Sequence, residues 1–167
     1  MRRLLLMLFG PLAAALAALV LSAGPALADS PHFLYANNSV GSNGALTTSF
    51  KEAGLGTGTT SVAITLKADA SALYQCFNNG GNHPKAGNKE TVSSALQTSG
   101  NFPVSHGQTT AELSVGPPGP GDFSCPSGQT LFLQSVTYSN TNVSDASGTT
   151  FHATPDPISS GALHTPA

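Results

Sequence analysis

Hydrophobic and polar positions alternate with a period of two over the most telling stretch of this chain. Between Ser61 and Cys76, the residues Val62, Ile64, Leu66, Ala68, Ala70, Ala72, Tyr74 and Cys76 share one parity. Thr65, Lys67, Asp69, Ser71 and Gln75 share the other. Successive side chains of a strand point to opposite faces, so this pattern places one face in a core and the other in water. So long a strand is expected to bend midway, at its alanine-rich stretch. Leu46, Thr48 and Phe50 alternate in the same way, as do Ala111, Leu113 and Val115 among Thr110, Glu112 and Ser114. Thr130 to Ser139 carries β-formers on both parities and reads as a central strand. His32 to Tyr35 and Thr149 to Ala153 read as short first and last strands. Phe102 and Val104 flank Pro103, which marks an edge or a bulge.

Beyond the N-terminal segment, no apolar stripe of helical period persists, because Gly, Pro, Asn and Ser recur too often. About seven short strands joined by turns predict an all-β fold: an immunoglobulin-like, two-sheet antiparallel sandwich with one disulfide. The likeness is one of architecture. Tyr74-Gln75-Cys76 resembles the Tyr-x-Cys of antibody domains. Here, however, the cysteine is the first of the pair, and the chain has no Trp to pack on a bridge.

The N-terminus follows a different pattern. Arg2 and Arg3 precede an almost wholly apolar run from Leu4 to Leu21, and Ala26-Leu27-Ala28 supplies a small-x-small exit. These features predict a signal peptide over residues 1–28, cleaved before Asp29, and hence a secreted, extracellular protein. An uncleaved anchor is the competing reading of so long an apolar run, which Gly10-Pro11 interrupts early. The expected domains are the leader, a β-sandwich over 29–153, and a Pro-rich flexible tail over 154–167.

Export changes how the composition is read. Cleavage leaves 167 − 28 = 139 residues, enough for one self-sufficient core. Losing Arg2 and Arg3 leaves four lysines against eight acidic residues, a net charge near −4. A nucleic-acid binder needs a dense basic surface, and four dispersed lysines cannot provide one. Docking on anionic lipid fails for the same reason, so no nucleic acid and, after cleavage, no membrane is expected as a partner. Cys76 and Cys125 are the only thiols, and in an exported chain they most simply pair with each other. The closed loop would stabilise the fold by roughly 4 kcal/mol on the chain-entropy account.

Two blocks stand out together. Tyr74 to Lys85 (YQCFNNGGNHPK), with Asn88-Lys89-Glu90, forms the first. Phe123 to Leu131 (FSCPSGQTL), with Ser135 to Tyr138, forms the second. They resemble a group of small secreted proteins of high-GC actinobacteria with one disulfide, over about residues 45 to 145. The resemblance implies a bacterial exported domain and carries no catalytic residue, ligand or cofactor with it.

Candidate chemistry is sparse. There is no Gly-x-Ser-x-Gly elbow and no His-Glu-x-x-His. The histidines at 32, 83, 106, 152 and 164 form no pair at metal-ligand spacing, so no metal or cofactor is expected. An N-terminal copper histidine would require cleavage after Pro31, a site signal peptidase disfavours. Carboxylates at Asp69, Glu90, Glu112, Asp122 or Asp145 could still be assembled in space, which keeps a small secreted hydrolase as the alternative function. Asp69 and Glu112, though, fall on water-facing parities.

The leading expectation is a non-enzymatic domain that binds envelope, matrix or a protein partner. The polar loop from Asn78 to Lys89 is its candidate surface. There Asn78, Asn79 and Asn82 offer amides, His83 a switchable donor, and Lys85 and Lys89 half of the mature positive charge. The competing reading is a plain Asn-Gly-Gly turn whose amides satisfy the loop's own backbone.

Overall fold

The computed structural model describes residues 30–78 and 88–164. Eight strands follow in order: β1 His32–Val40, β2 Leu46–Ala53, β3 Ser61–Asn78, β4 Lys89–Pro103, β5 Gln108–Val115, β6 Gln129–Asp145, β7 Thr150–His152 and β8 Ile158–Ser159. They form two antiparallel sheets. One has the order β1-β2-β5, and the other runs β4-β3-β6-β7 with β8 also paired to β6.

The period-two reading of β3 holds residue by residue. Ile64, Leu66, Ala68, Ala70, Ala72, Tyr74 and Cys76 are buried, and Lys67, Asp69 and Ser71 are exposed. β3 sits between β4 and β6, so it is the spine of the larger sheet. The expected irregularity lies in its partner. The β3–β6 register shifts between Lys67 and Asp69 and again between Leu73 and Tyr74. Each shift leaves an extra residue in β6, near Asn140 and at Gln134, and such bulges bend a strand without ending it. β6 is central, as its two-sided β-former content predicts.

Two clusters fill the space between the sheets. At one end Phe33, Phe50, Ile64, Leu66, Leu113 and Val143 pack together, with Phe102 and Phe151 against them. The Phe50 and Phe102 rings meet edge-on at 5.3 Å between centroids, the arrangement that aromatic quadrupoles favour. At the other end the alanines of β3 leave room for larger side chains. Leu46, Tyr74, Val136 and Tyr138 occupy that room. Each buried tyrosine finds an acceptor for its hydroxyl. Tyr138 Oη donates to the Gly44 carbonyl at 2.7 Å, and Tyr74 Oη to that of Pro118 at 2.6 Å. Burial pushes both phenols up, Tyr138 to about 12.

The disulfide joins Cys76 to Cys125, with the Cα atoms 5.6 Å apart. It fastens the far end of β3 to the connection that leads into β6.

Two features differ from expectation. β4 is a full strand of 15 residues, although only its Pro103 end was anticipated. Its apolar positions are few and only half-buried, so an edge strand of Ser, Thr, Gly and Asn carries a weak hydrophobic signal. The C-terminal stretch expected to be loose is docked as far as His164. Asn38 N–H donates to the Thr154 carbonyl and Thr154 N–H to that of Ala36. Asp156 Oδ2 accepts from Thr141 N–H at 2.8 Å and lies 3.1 Å from His152 Nε2. Ser160 and Leu163 N–H donate to β6 carbonyls at Val136 and Gln134. Backbone pairing to an open sheet edge holds this stretch, with Ile158 and Leu163 packed against the second core cluster.

Candidate functional site

The outward parity of β3 builds a surface as well as excluding a core. Its residues Lys67, Asp69 and Ser71 stand beside Gln97, Ala95 and Ser93 of β4 on one side, and beside Asn142, Ser139 and Thr137 of β6 on the other. Apart from Lys67 and Gln97 these side chains are short, and the face is shallowly troughed. One open cleft of about 390 Å³ is lined by Asp69, Ser71, Ser93, Ala95, Thr137 and Ser139. A second, of about 360 Å³, is lined by Lys67, Asp69, Ala95, Gln97, Asn140 and Asn142. The two share Asp69 and Ala95, so they form one groove running along the strands with a carboxylate at its middle.

The bulge in β6 shapes this groove. Asn140 takes a left-handed conformation (φ 53°), which asparagine tolerates better than most residues. Its Nδ2 donates to Asp69 Oδ2 at 2.8 Å, and Asn142 Nδ2 donates to the Asn140 carbonyl at 3.0 Å. Asp69 is therefore oriented while still exposed. The groove offers carboxylate, ammonium, amide and hydroxyl groups and no aromatic ring. It can hydrogen-bond a polar ligand but cannot stack a sugar or a base.

The loop favoured from the sequence is seen only at its ends. Asn78 closes β3 opposite Gln129 and is exposed. Lys89 opens β4 opposite Gln75 and is also exposed. Asn79, Asn82, His83 and Lys85 lie outside the described residues. Asn88, just before β4, is structural: its carbonyl accepts from Cys76 N–H at 2.9 Å, and its Nδ2 donates to Gln129 Oε1 at 3.0 Å. The loop thus springs from the disulfide-fastened end of the sheet. At that end of the sheet the His164 ring stacks on Phe132 at 3.8 Å and meets Phe77 edge-on at 4.8 Å.

The acidic residues separate into two kinds. Asp69, Glu90, Glu112 and Asp122 are exposed, as the parities of Asp69 and Glu112 imply. Asp145 is buried, and it faces a residue that sequence reasoning passed over. Glu52 follows Leu46, Thr48 and Phe50 on the inward parity of β2 and is fully buried. That same alternation was the signal that could have found it. No N–H or O–H donor among the described residues reaches either Glu52 oxygen. Burial first, then the hydrogen bond and charge of Asp145, push its carboxyl up from 4.5 to about 7. Thr109, its register partner on β5, is also buried with its hydroxyl unpartnered.

The remaining chemistry is dispersed. His32 Nδ1 is 2.8 Å from the Ser30 carbonyl, and His106 Nδ1 is 3.0 Å from its neighbour Ser105 Oγ. Among the described residues no three His, Cys, Asp or Glu side chains gather where a metal could be held. Compared with protein-family models, with curated proteins and with solved structures, the chain finds no match in any of the three.

Proposed function

We propose that this protein is an exported, non-enzymatic binding domain whose larger sheet holds an extended, hydroxyl-rich polymer of the cell envelope or matrix along its outer face. One observation carries the reading: the groove centred on Asp69, lined by Ser, Thr, Asn, Gln and Lys67 and open along the strand direction. Short hydroxyl and amide side chains on a rigid sheet suit a ligand that both donates and accepts along its length. Without a ring to stack, each contact is weak, and affinity must come from repetition along the polymer. The apolar leader and Ala26-Leu27-Ala28 exit support export, and the Cys76–Cys125 bridge fits an oxidising compartment.

The strand order supports an immunoglobulin-like reading of the sandwich. In that reading β1-β2-β5 would take the places of A-B-E, and β3, β6 and β7 those of C, F and G. The bridge departs from that pattern, since it joins β3 to the segment before β6 rather than linking the two sheets.

A hydrolase using Glu52 and Asp145 is the second reading, favoured by the raised Glu52 carboxyl. The pair lies between the sheets, and neither residue lines the groove, which weighs against it.

Co-sedimentation with isolated bacterial cell-wall glycan tests the proposal. The protein should sediment with intact glycan and not with periodate-oxidised glycan. Asp69→Ala should weaken retention about tenfold, the worth of a charged hydrogen bond. No retention, or retention indifferent to Asp69→Ala, would sink the groove reading. Glycan release that Glu52→Gln abolishes would favour the hydrolase.

A further inference from the structure

We infer that the free edge of β4 is a self-association surface, on which a second copy of this chain adds its own β4 antiparallel about a two-fold axis. The inference concerns the backbone edge and stands independently of any ligand in the groove.

An open sheet edge is a row of unpaired N–H and C=O groups, and natural proteins blunt such edges with bulges, charges, prolines or covering segments. The other edges of this sandwich carry those devices. β1 is interrupted by a bulge between Phe33 and Tyr35, and Thr154 bridges to it at Asn37. β5 has only eight residues, with Glu112 in their middle. The far edge of β6 is covered by β7, by β8 and by the stretch up to Leu163.

The central part of β4 has none of them. It pairs with β3 through 15 consecutive partners without a register shift, so the strand is regular from Lys89 to Pro103. From Thr91 to Asn101 it contains no charged residue and no proline. Among the described residues no strand pairs with its outer edge. Leu96, halfway along, is only half-buried.

The sequence of this edge is self-complementary, as an isologous two-fold contact requires. With the axis at Leu96, the two leucines meet on the inner face. Ser94 then faces Thr98, Val92 faces Gly100, Ala95 faces Gln97, Ser93 faces Ser99 and Thr91 faces Asn101. Continuing outward, Glu90 meets Phe102 and Lys89 meets Pro103, so no like charges stand opposite each other. The two five-stranded sheets become one of about ten strands, within the usual size of an open sheet. Ser93, Ala95 and Gln97 line the groove, so the grooves of the two copies lie side by side on one face.

Sedimentation equilibrium of the protein alone, purified after expression of the full chain in an exporting host, tests this directly. A concentration-dependent monomer–dimer equilibrium is expected. Ala95→Lys combined with Gln97→Lys places lysines opposite lysines across the axis and should raise the dissociation constant at least about tenfold. Ala95→Lys combined with Gln97→Glu sets opposite charges against each other and should restore the dimer. An unchanged far-UV spectrum and melting temperature keep misfolding from imitating the result. A monomer at every concentration overturns the inference. So does a dimer indifferent to the double lysine, a folded charge-complementary variant that stays monomeric, or a different protein found seated on β4 of a monomer. None of these outcomes touches the glycan reading, because no glycan is present.

Discussion

The carboxyl groups of Glu52 and Asp145 meet between the two sheets, one from the end of β2 and the other from the end of β6. Asp145 already accepts from the Ser147 hydroxyl and from Thr149 N–H, both at 2.8 Å. Among the described residues Glu52 has no such donor. Burial first, and then the neighbouring Asp145 carboxyl, favour the protonated form of Glu52. The sheets are thus joined through an acid that is neutral only below about pH 7.

Stability should fall as pH rises between the ordinary carboxyl value of 4.5 and about 7. In that window the unfolded chain has released the Glu52 proton and the folded chain still holds it, so each pH unit weakens folding. The total loss is at most about 3 kcal/mol, complete above the folded value. Glu52→Gln keeps a donor to Asp145 that does not titrate. Urea unfolding at several pH values should show the parent declining across the window and Glu52→Gln flat, with the variant the more stable above pH 7. Parallel curves would mean that Glu52 ionises in the fold without cost.

Reduction, or Cys76→Ser with Cys125→Ser, should cost about 4 kcal/mol, the chain-entropy worth of a loop of this length. Denaturant unfolding with and without reductant measures it. Because Cys76 is fully buried at the end of β3, the loss should show first as faster amide exchange in Tyr74–Asn78 and in the start of β6.

The larger part of the fold was legible in the sequence, for a definite reason. Where one face is buried and the other wet, alternation is forced, and β3 declares itself over seven buried residues from Ile64 to Cys76. β4 obeys the same geometry, yet its inward residues include Ser94, Thr98 and Gly100, because an edge has less surface to bury and no need of large side chains. The docked tail was hidden in a similar way. Its attachments are mostly backbone hydrogen bonds and the Asp156 carboxylate, and the two aliphatic side chains it packs on the core, Ile158 and Leu163, are too few to make a pattern. Glu52 was legible in position but not in chemistry, since period two marks a residue as inward without saying what faces it. The groove could be read only as outward parity. The amide that orients Asp69 comes from the bulge at Asn140, and no alternation of residues encodes a bulge.

Asp156 should act as the latch of the C-terminal stretch. Its Oδ2 accepts from the backbone of Thr141, a fully buried residue whose own hydroxyl also lacks a partner. Asp156→Ala would strand that N–H in the interior, at a cost of about 1–3 kcal/mol. The Thr141 amide should exchange much faster, and limited proteolysis should open the chain between Thr154 and Leu163 while the rest stays resistant. Protection unchanged at Thr141 would show that β7 alone holds the bulge.

Gly116 should tolerate no side chain at all. It sits at φ 73°, a conformation that costs an L-residue about 1 kcal/mol or more. A Cβ there would also lie 2.6 Å from Tyr138 Oη and 2.8 Å from Leu96 Cδ1. Half-buried Leu96 can swing aside, but Tyr138 cannot, being fully buried with its hydroxyl committed to the Gly44 carbonyl. Moving that ring would break the tie between β6 and the β1–β2 turn, on the opposite sheet. Gly116→Ala is therefore expected to destabilise by about 2–4 kcal/mol, combining backbone strain with overpacking. Tyr138→Phe separates the two causes. It removes the closest atom and the hydrogen bond together, so Gly116→Ala should cost less in that background than in the parent. Urea midpoints of the four proteins complete the cycle, and strictly additive costs would assign the whole effect to the backbone.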